Sequence, residues 1–311
     1  MTTQEILNSG LNKTQKGYKL YALGHTRTEV AEWLTNGNYG FAHNIWKKWS
    51  DNQTPAILNL PFEYNFNRTF GIELEIYGAS REDLIREITR AGVEIEGQSY
   101  NHNTTTKWKI VSDSSISGVN GNEIVSPVLS GLDGIEQIKK VCIGLNRAGA
   151  KINNSCGFHV HFGATDFNLD NFKNLLTSYT HLEESFDNIN PTSRRANNNG
   201  FCKNISSIAN GNKTTAIQKI NGASSISNLS SSVFNGGRYF KLNVQSFQRH
   251  GTVEFRQHSG TTQFSKIKNW ILICGRLVEY AKQNGVTNNF NSFLNESLQD
   301  YVSDRAVDLV A

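Results

Sequence analysis

The chain has 311 residues, 37% of them hydrophobic and 19% charged, with a net charge of +4. This length holds one large domain or two smaller ones, and so modest a charge is no argument for a nucleic-acid partner. The longest apolar runs, such as WILIC at 270–274, fall far short of the roughly 20 residues that a membrane helix needs, and MTTQEILNSG lacks a basic region followed by an apolar one, so a soluble cytoplasmic chain with no membrane contact is expected.

Residues 1–50 read as a module of three short helices. The middle one opens on Thr26, Arg27, Thr28 and Glu29, an S/T-x-x-E capping box, and carries Val30, Ala31 and Leu34 on one face. After a turn at Asn36, Gly37 and Asn38, a third amphipathic segment, Phe41 to Trp49, groups Ile45, Trp46 and Trp49. The pattern resembles a helix-turn-helix, in which Asn44, Lys47 and Lys48 of the last helix would contact DNA. A packing or protein-interaction module fits the same pattern. Residues 51–67 contain two of the four prolines and no sustained period, which places a linker there and a second domain over 68–311.

From residue 69 strands and helices are mixed. Stripes at i, i+3 and i+4 predict helices over 81–91, 133–148, 171–187 and 265–283, and strand-like runs fall at 70–77, 107–112, 123–129, 156–163, 238–247 and 251–258. Such a mixture predicts an α+β domain, its largely antiparallel sheet backed by helices. The Asn/Ser-rich stretch 188–236 shows little period and reads as a long loop, either a lid over substrate or an insertion without structure. Cys142, Cys156, Cys202 and Cys274 are far apart with no CxxC pair, so free thiols are expected.

Three strands carry paired chemical groups. In FGIELEI, Glu73 and Glu75 share one face and Ile72, Leu74 and Ile76 the other. Two such carboxylates lie about 7 Å apart, a spacing suited to two neighbouring divalent cations, although ExE on an amphipathic strand is more often a solvated face. GFHVHF repeats the arrangement with His159 and His161, and TVEFRQ with Glu254 and Arg256. Taken singly, the histidine pair also suits zinc and the Glu254–Arg256 pair a plain salt bridge. Asp113 stands at a strand exit and Glu123 at the start of an apolar strand, where an acid needs a partner or a cation. In RYFKLN, Lys241 and Asn243 share a face, with Arg238 just before them. Neither GxxxxGK[ST] nor GxGxxG occurs, so a bound nucleotide would be held by cations and side chains instead of a glycine-rich loop.

The pieces FGIELEI, DSS at 113–115, NEIVSP at 122–127, CGFHVHFG at 156–163, PTSRRANNNGFC at 191–202, RYFKLN and TVEFRQHSGT, in that order, resemble the amidoligase family of glutamine synthetase-like carboxylate–amine ligases. The resemblance covers about 69–284 and implies a glutamine synthetase-like curved sheet. It implies ATP with Mg²⁺, or Mn²⁺ in its place, and Glu73, Glu75, Glu123, His159 and Glu254 as metal ligands. His161, Arg195, Lys241, Asn243 and Asp113 would bind nucleotide or substrate, and Glu73, Glu254, Arg256 and Arg238 would serve catalysis. The partners implied are a carboxylate substrate and an amine donor, an amino acid or a peptide. A thiol acyl carrier is conceivable at Cys156 or Cys202, with a buried inert thiol the plainer role. Two other functions suit the same residues: a DNA-binding regulator whose large domain senses a metabolite, and a metal-dependent hydrolase.

Overall fold

Polar caps set the helices of the N-terminal segment in this computed structural model, which describes residues 2–23, 25–52, 67–101 and 103–309. The helices are α1 (Thr3–Asn8), α2 (Lys13–Ala22), α3 (Arg27–Thr35) and α4 (Tyr39–Asn52). The box expected at Thr26 forms: Thr26 Oγ1 accepts from Glu29 N at 3.2 Å and Glu29 Oε2 accepts from Thr26 N at 2.8 Å. Asn36, at φ 51°, ends α3 in the left-handed conformation. Ile6, Leu20, Val30, Ala31, Ala42 and Ile45 make the core. On α4, Asn44 and Lys48 are exposed and Lys47 is half-buried.

The C-terminal helix, α12 by chain order (Glu296–Asp308), belongs to this compact unit, whereas the sequence pattern places it in the second domain. The reason is Arg27, only 1% exposed. Its guanidinium pairs with Asp304 at 3.1 Å and Asp308 at 2.6 Å and lies 4.6 Å from the Trp46 ring, and Tyr39 donates to Asp308 at 2.6 Å. A buried guanidinium needs such acids, and their spacing along α12 carries no sign of where that helix docks. The expected linker falls almost wholly outside the described residues, since α4 runs to Asn52 and 53–66 is not described.

The second unit, Pro61–Asn295, holds a seven-stranded sheet: β1 (Phe70–Ile76), β2 (Ile95–Gly97), β3 (Trp108–Ser112), β4 (Asn122–Val125), β5 (Gly157–Gly163), β6 (Leu242–Asn243) and β7 (Thr252–Ser259). Its order is β2-β3-β4-β1-β5-β7-β6, antiparallel throughout except between β2 and β3. The α+β expectation therefore holds. The helices α5 (Arg81–Arg90), α6 (Gly131–Arg147), α7 (Leu169–Asn188) and α11 (Phe264–Gln283) stand where periodicity placed them. Leu74, Ile76, Phe158, Val160, Val253 and Phe255 are all fully buried, so one face of the central strands is core. α5 and α6 meet at Gly144, where a Cβ would come 2.6 Å from Ile88 Cα.

Two expectations fail. The stretch 188–236 is packed structure: 3-10 turns at Thr192–Arg194 and Ile205–Ala209, then α8 (Lys213–Asn221) and α9 (Ile226–Asn228) with a π turn behind it. Ile205, Ala216, Ile220 and Leu229 are fully buried. Each element is too short to display a stripe, so abundant Asn and Ser hide the helices. The strand expected at 238–247 shrinks to β6, because Asn243 Oδ1 accepts from Gln245 N at 2.8 Å, an Asx turn that leads into α10 (Ser246–His250). Among the described residues no helix is long and apolar enough to cross a membrane.

Candidate functional site

Cross-strand register gathers the polar faces of five strands. Glu75 stands opposite Glu123, Glu73 opposite His159, His161 opposite Glu254, and Glu254 opposite Asn243. Directly paired residues project from the same side of a sheet, so alternation that buries the aliphatic residues delivers these groups to one surface. Gly157 precedes His159 on that surface, and a Cβ there would lie 2.9 Å from His159 Nε2 and 3.3 Å from Glu75 Oε2. Only glycine fits so crowded a place.

Glu73 is central. Its Oε2 lies 3.0 Å from His159 Nδ1 and its Oε1 3.4 Å from His161 Nε2. Glu254 Oε1 is 3.6 Å from His159 Nδ1 and 3.8 Å from His161 Nε2, and it is paired with Arg256, while Glu254 Oε2 accepts from Asn243 Nδ2 at 2.6 Å. Two triads arise, Glu73 with His161 and Glu254, and Glu73 with Glu123 and His159, each offering ligand atoms within 4.8 Å of one another. The Glu73 carboxylate is common to both and would help to hold a cation in either. His161 Nδ1 meets Thr252 Oγ1 at 3.0 Å. If it donates there, the Nε2 lone pair faces Glu73 and Glu254, the orientation a metal-ligating imidazole needs. That buried Nε2 completes no hydrogen bond, so a cation between these three groups would satisfy it. The oxygen-rich set with two imidazoles thus fits Mg²⁺ or Mn²⁺.

Electrostatics separates the acids. Burial disfavours the charge of Glu73, but the hydrogen bond with His159 and the nearby His161 imidazole hold its carboxyl well below the usual range. Burial likewise opposes ionised Glu254, which Arg256 and then His161 and His159 outweigh. Glu123 goes the other way: burial first, then the charges of Glu73, Glu75 and Asp113, push it well above its ordinary value. Burial opposes protonated His161, and Glu254 and Glu73 more than offset it. So crowded a set of acids favours additional positive charge.

A cavity of about 210 Å³ opens beside this face, with Glu73, Glu123, His161, Lys109 and Ser126 in its wall. Lys109 was not foreseen. It is 2% exposed and donates to Asn101 Oδ1 at 2.8 Å and Asn103 O at 2.6 Å, which fastens Asn101 and Asn103 at the cavity. Its signal was legible: a lysine between Trp108 and Ile110 needs a partner as much as Glu123 does.

Other expectations divide. Glu73, Glu75, Glu123, His159, His161, Glu254, Arg256 and Asn243 come together. Asp113 lies close enough to raise Glu123, although its Oδ1 caps the turn at Ser115. Arg238 is exposed, stacked on Tyr239. Lys241 does not reach the site: it is fully buried and paired with Asp187, which also accepts from Gln257 Nε2 at 2.6 Å. Arg195 is spent on Asn190 O at 2.7 Å. Its neighbour Arg194 instead runs beneath the face, donating to Cys156 O at 2.6 Å, with Nη1 3.5 Å from the place a Gly157 Cβ would take; nothing in the RR pair distinguishes the two. All four cysteines are free and buried, and burial raises the Cys156 and Cys202 thiols, so both favour the protonated, inert form.

An α+β sheet whose polar face presents acids, imidazoles and an arginine beside a cavity defines a candidate cation-assisted enzyme. The chain belongs to the amidoligase family: the family described as "Putative amidoligase enzyme" matches residues 66–278, and with it comes the expectation of ligase chemistry that uses ATP. No curated protein matches the chain.

Proposed function

We propose that the protein is an ATP- and Mg²⁺-dependent ligase that joins a substrate carboxylate to an amine as an amide or isopeptide bond. The observation that carries this reading is the pair of triads sharing Glu73, with Arg256 held beside Glu254. Glu73, Glu123, His159, His161 and Glu254 would hold two cations, with Glu75 behind them on Gly157 N; bound cations supply charge neutralisation at the phosphates of ATP. In the reaction a carboxylate oxygen of the substrate attacks the γ-phosphorus and ADP leaves with the bridging oxygen. The acyl phosphate is then attacked by the amine, which gives the amide, releases inorganic phosphate and loses one proton to solvent. Arg256 and Arg238 neutralise phosphoryl oxygens in this scheme, and the remaining work is positioning, so no covalent nucleophile is required. The test is Mg²⁺-dependent ADP release across a panel of amino acids and peptides, with mass spectrometry for the condensation product. Glu73→Gln and Glu254→Gln should each lower turnover about 100-fold or more; a wild-type rate in either, or amide cleavage without ATP in place of formation, removes the ligase reading.

The N-terminal unit is proposed as the partner module. The three-residue turn between α3 and α4 and the exposed Asn44 and Lys48 support DNA binding by a helix-turn-helix. In a gel shift at low salt, Lys47→Ala with Lys48→Ala should abolish a salt-sensitive complex; if wild type forms none, the module serves a protein partner or packing.

A further inference from the structure

Two large aromatic rings stand in the open beside the acidic face. Phe201 is 58% exposed and Tyr239 39%, and their rings meet edge to face with centroids 5.4 Å apart, so they form one patch. The backbone builds it: Lys203 N donates to Tyr239 O at 2.9 Å and Lys241 N to Lys203 O at 2.8 Å, which ties the two segments side by side. Arg238 and Arg256 place their guanidinium carbons 5.1 and 5.9 Å from the Tyr239 ring centre. Arg256 also donates to Phe201 O at 3.4 Å, and its other arm is paired with Glu254. A single guanidinium thus links the aromatic patch to a member of the first triad. Neither ring lines the cavity, which lies toward Glu123 and Lys109, so the polar face has two distinct neighbours: that cavity and an open aromatic surface edged with arginine.

We propose that Phe201 and Tyr239 are the stacking platform for the adenine of ATP, with Arg256 and Arg238 between the base and the phosphates. The proposal rests on the reading of the acidic face as an ATP site. A nucleotide whose phosphates lie at Glu73 and Glu254 has its base some way off, and on the Glu254 side the chain offers open π-faces, which suit any nucleobase, and guanidinium groups that add cation–π attraction. The cavity is then left for the carboxylate and the amine.

The test is calorimetric titration of the full chain, in Mg²⁺, with a non-hydrolysable ATP analogue and separately with inorganic tripolyphosphate, which has the phosphates and no base. Phe201→Ala and Tyr239→Ala should each weaken the analogue about tenfold, leave tripolyphosphate within about twofold, and keep the thermal midpoint, since both side chains are exposed. Tyr239→Trp should restore the affinity. Unchanged analogue binding in both alanine variants overturns the platform while the ATP site stands. Equal loss for tripolyphosphate also overturns it, because the rings would then act only by seating Arg256. A wild type that binds neither ligand removes the ATP reading and the platform together.

Discussion

At the scale of single residues, the site depends on side chains that hold other side chains. Thr252 turns His161, Asn243 and Arg256 hold Glu254, and the Gly157 amide binds Glu75. Lys109 does the same for Asn101 and Asn103, its ammonium fastening both at the cavity. Lys109→Met keeps the length of the side chain and deletes those charged hydrogen bonds, so Asn101 and Asn103 loosen while the triads stay in place. Steady-state kinetics should show KM for the carboxylate or the amine rising roughly tenfold with kcat little changed. A loss confined to kcat would instead put Lys109 at the reacting atoms. The pairs of FGIELEI, GFHVHF and TVEFRQ were legible because alternation on a strand dictates the face. Lys241, Arg195 and Arg194 were not, because their direction depends on Asp187, Asn190 and Cys156, partners that are remote in sequence or set by the local turn.

Among the elements, the long helices and central strands announced themselves by period, and the segments of 188–236 did not. What secures that region includes Glu183 of α7, fully buried, which accepts from Ile205 N and from Ser206 Oγ at 3.2 Å. Burial raises its carboxyl to about 7. Its folded value thus exceeds the unfolded one, so the protonated form suits the fold. Below pH 4.5 both states hold the proton and the residue costs nothing. Between 4.5 and about 7 the unfolded chain ionises first and stability falls, by about 3 kcal/mol in all, and above 7 the loss is constant. In denaturant titrations Glu183→Gln should therefore match wild type near pH 4.5 and exceed it by about that amount at pH 8, provided the amide keeps both hydrogen bonds. A difference that does not grow with pH would show that Glu183 is ionised in the fold.

For the whole molecule, two compact units predict two unfolding transitions. Arg27→Leu leaves Asp304 and Asp308 without their buried cation, which should cost about 3 kcal/mol and lower only the transition of the helical unit. Mg²⁺ with an ATP analogue should raise only the other, by mass action on the state that binds it. Scanning calorimetry reads both shifts, and a single transition displaced by either change would mean that the units unfold as one. The sequence by itself determined the α+β class, the helical character of the N-terminal segment with the cap at Thr26, and which residues of three strands share a face, because those follow from local period and capping. Only the tertiary structure decided that the three faces become one surface, that Glu73 is common to two triads, that Lys241 is withdrawn to Asp187 and that α12 joins the N-terminal helices. These are matters of strand order, register and the charge partners of buried groups, set by contacts between residues far apart in the chain.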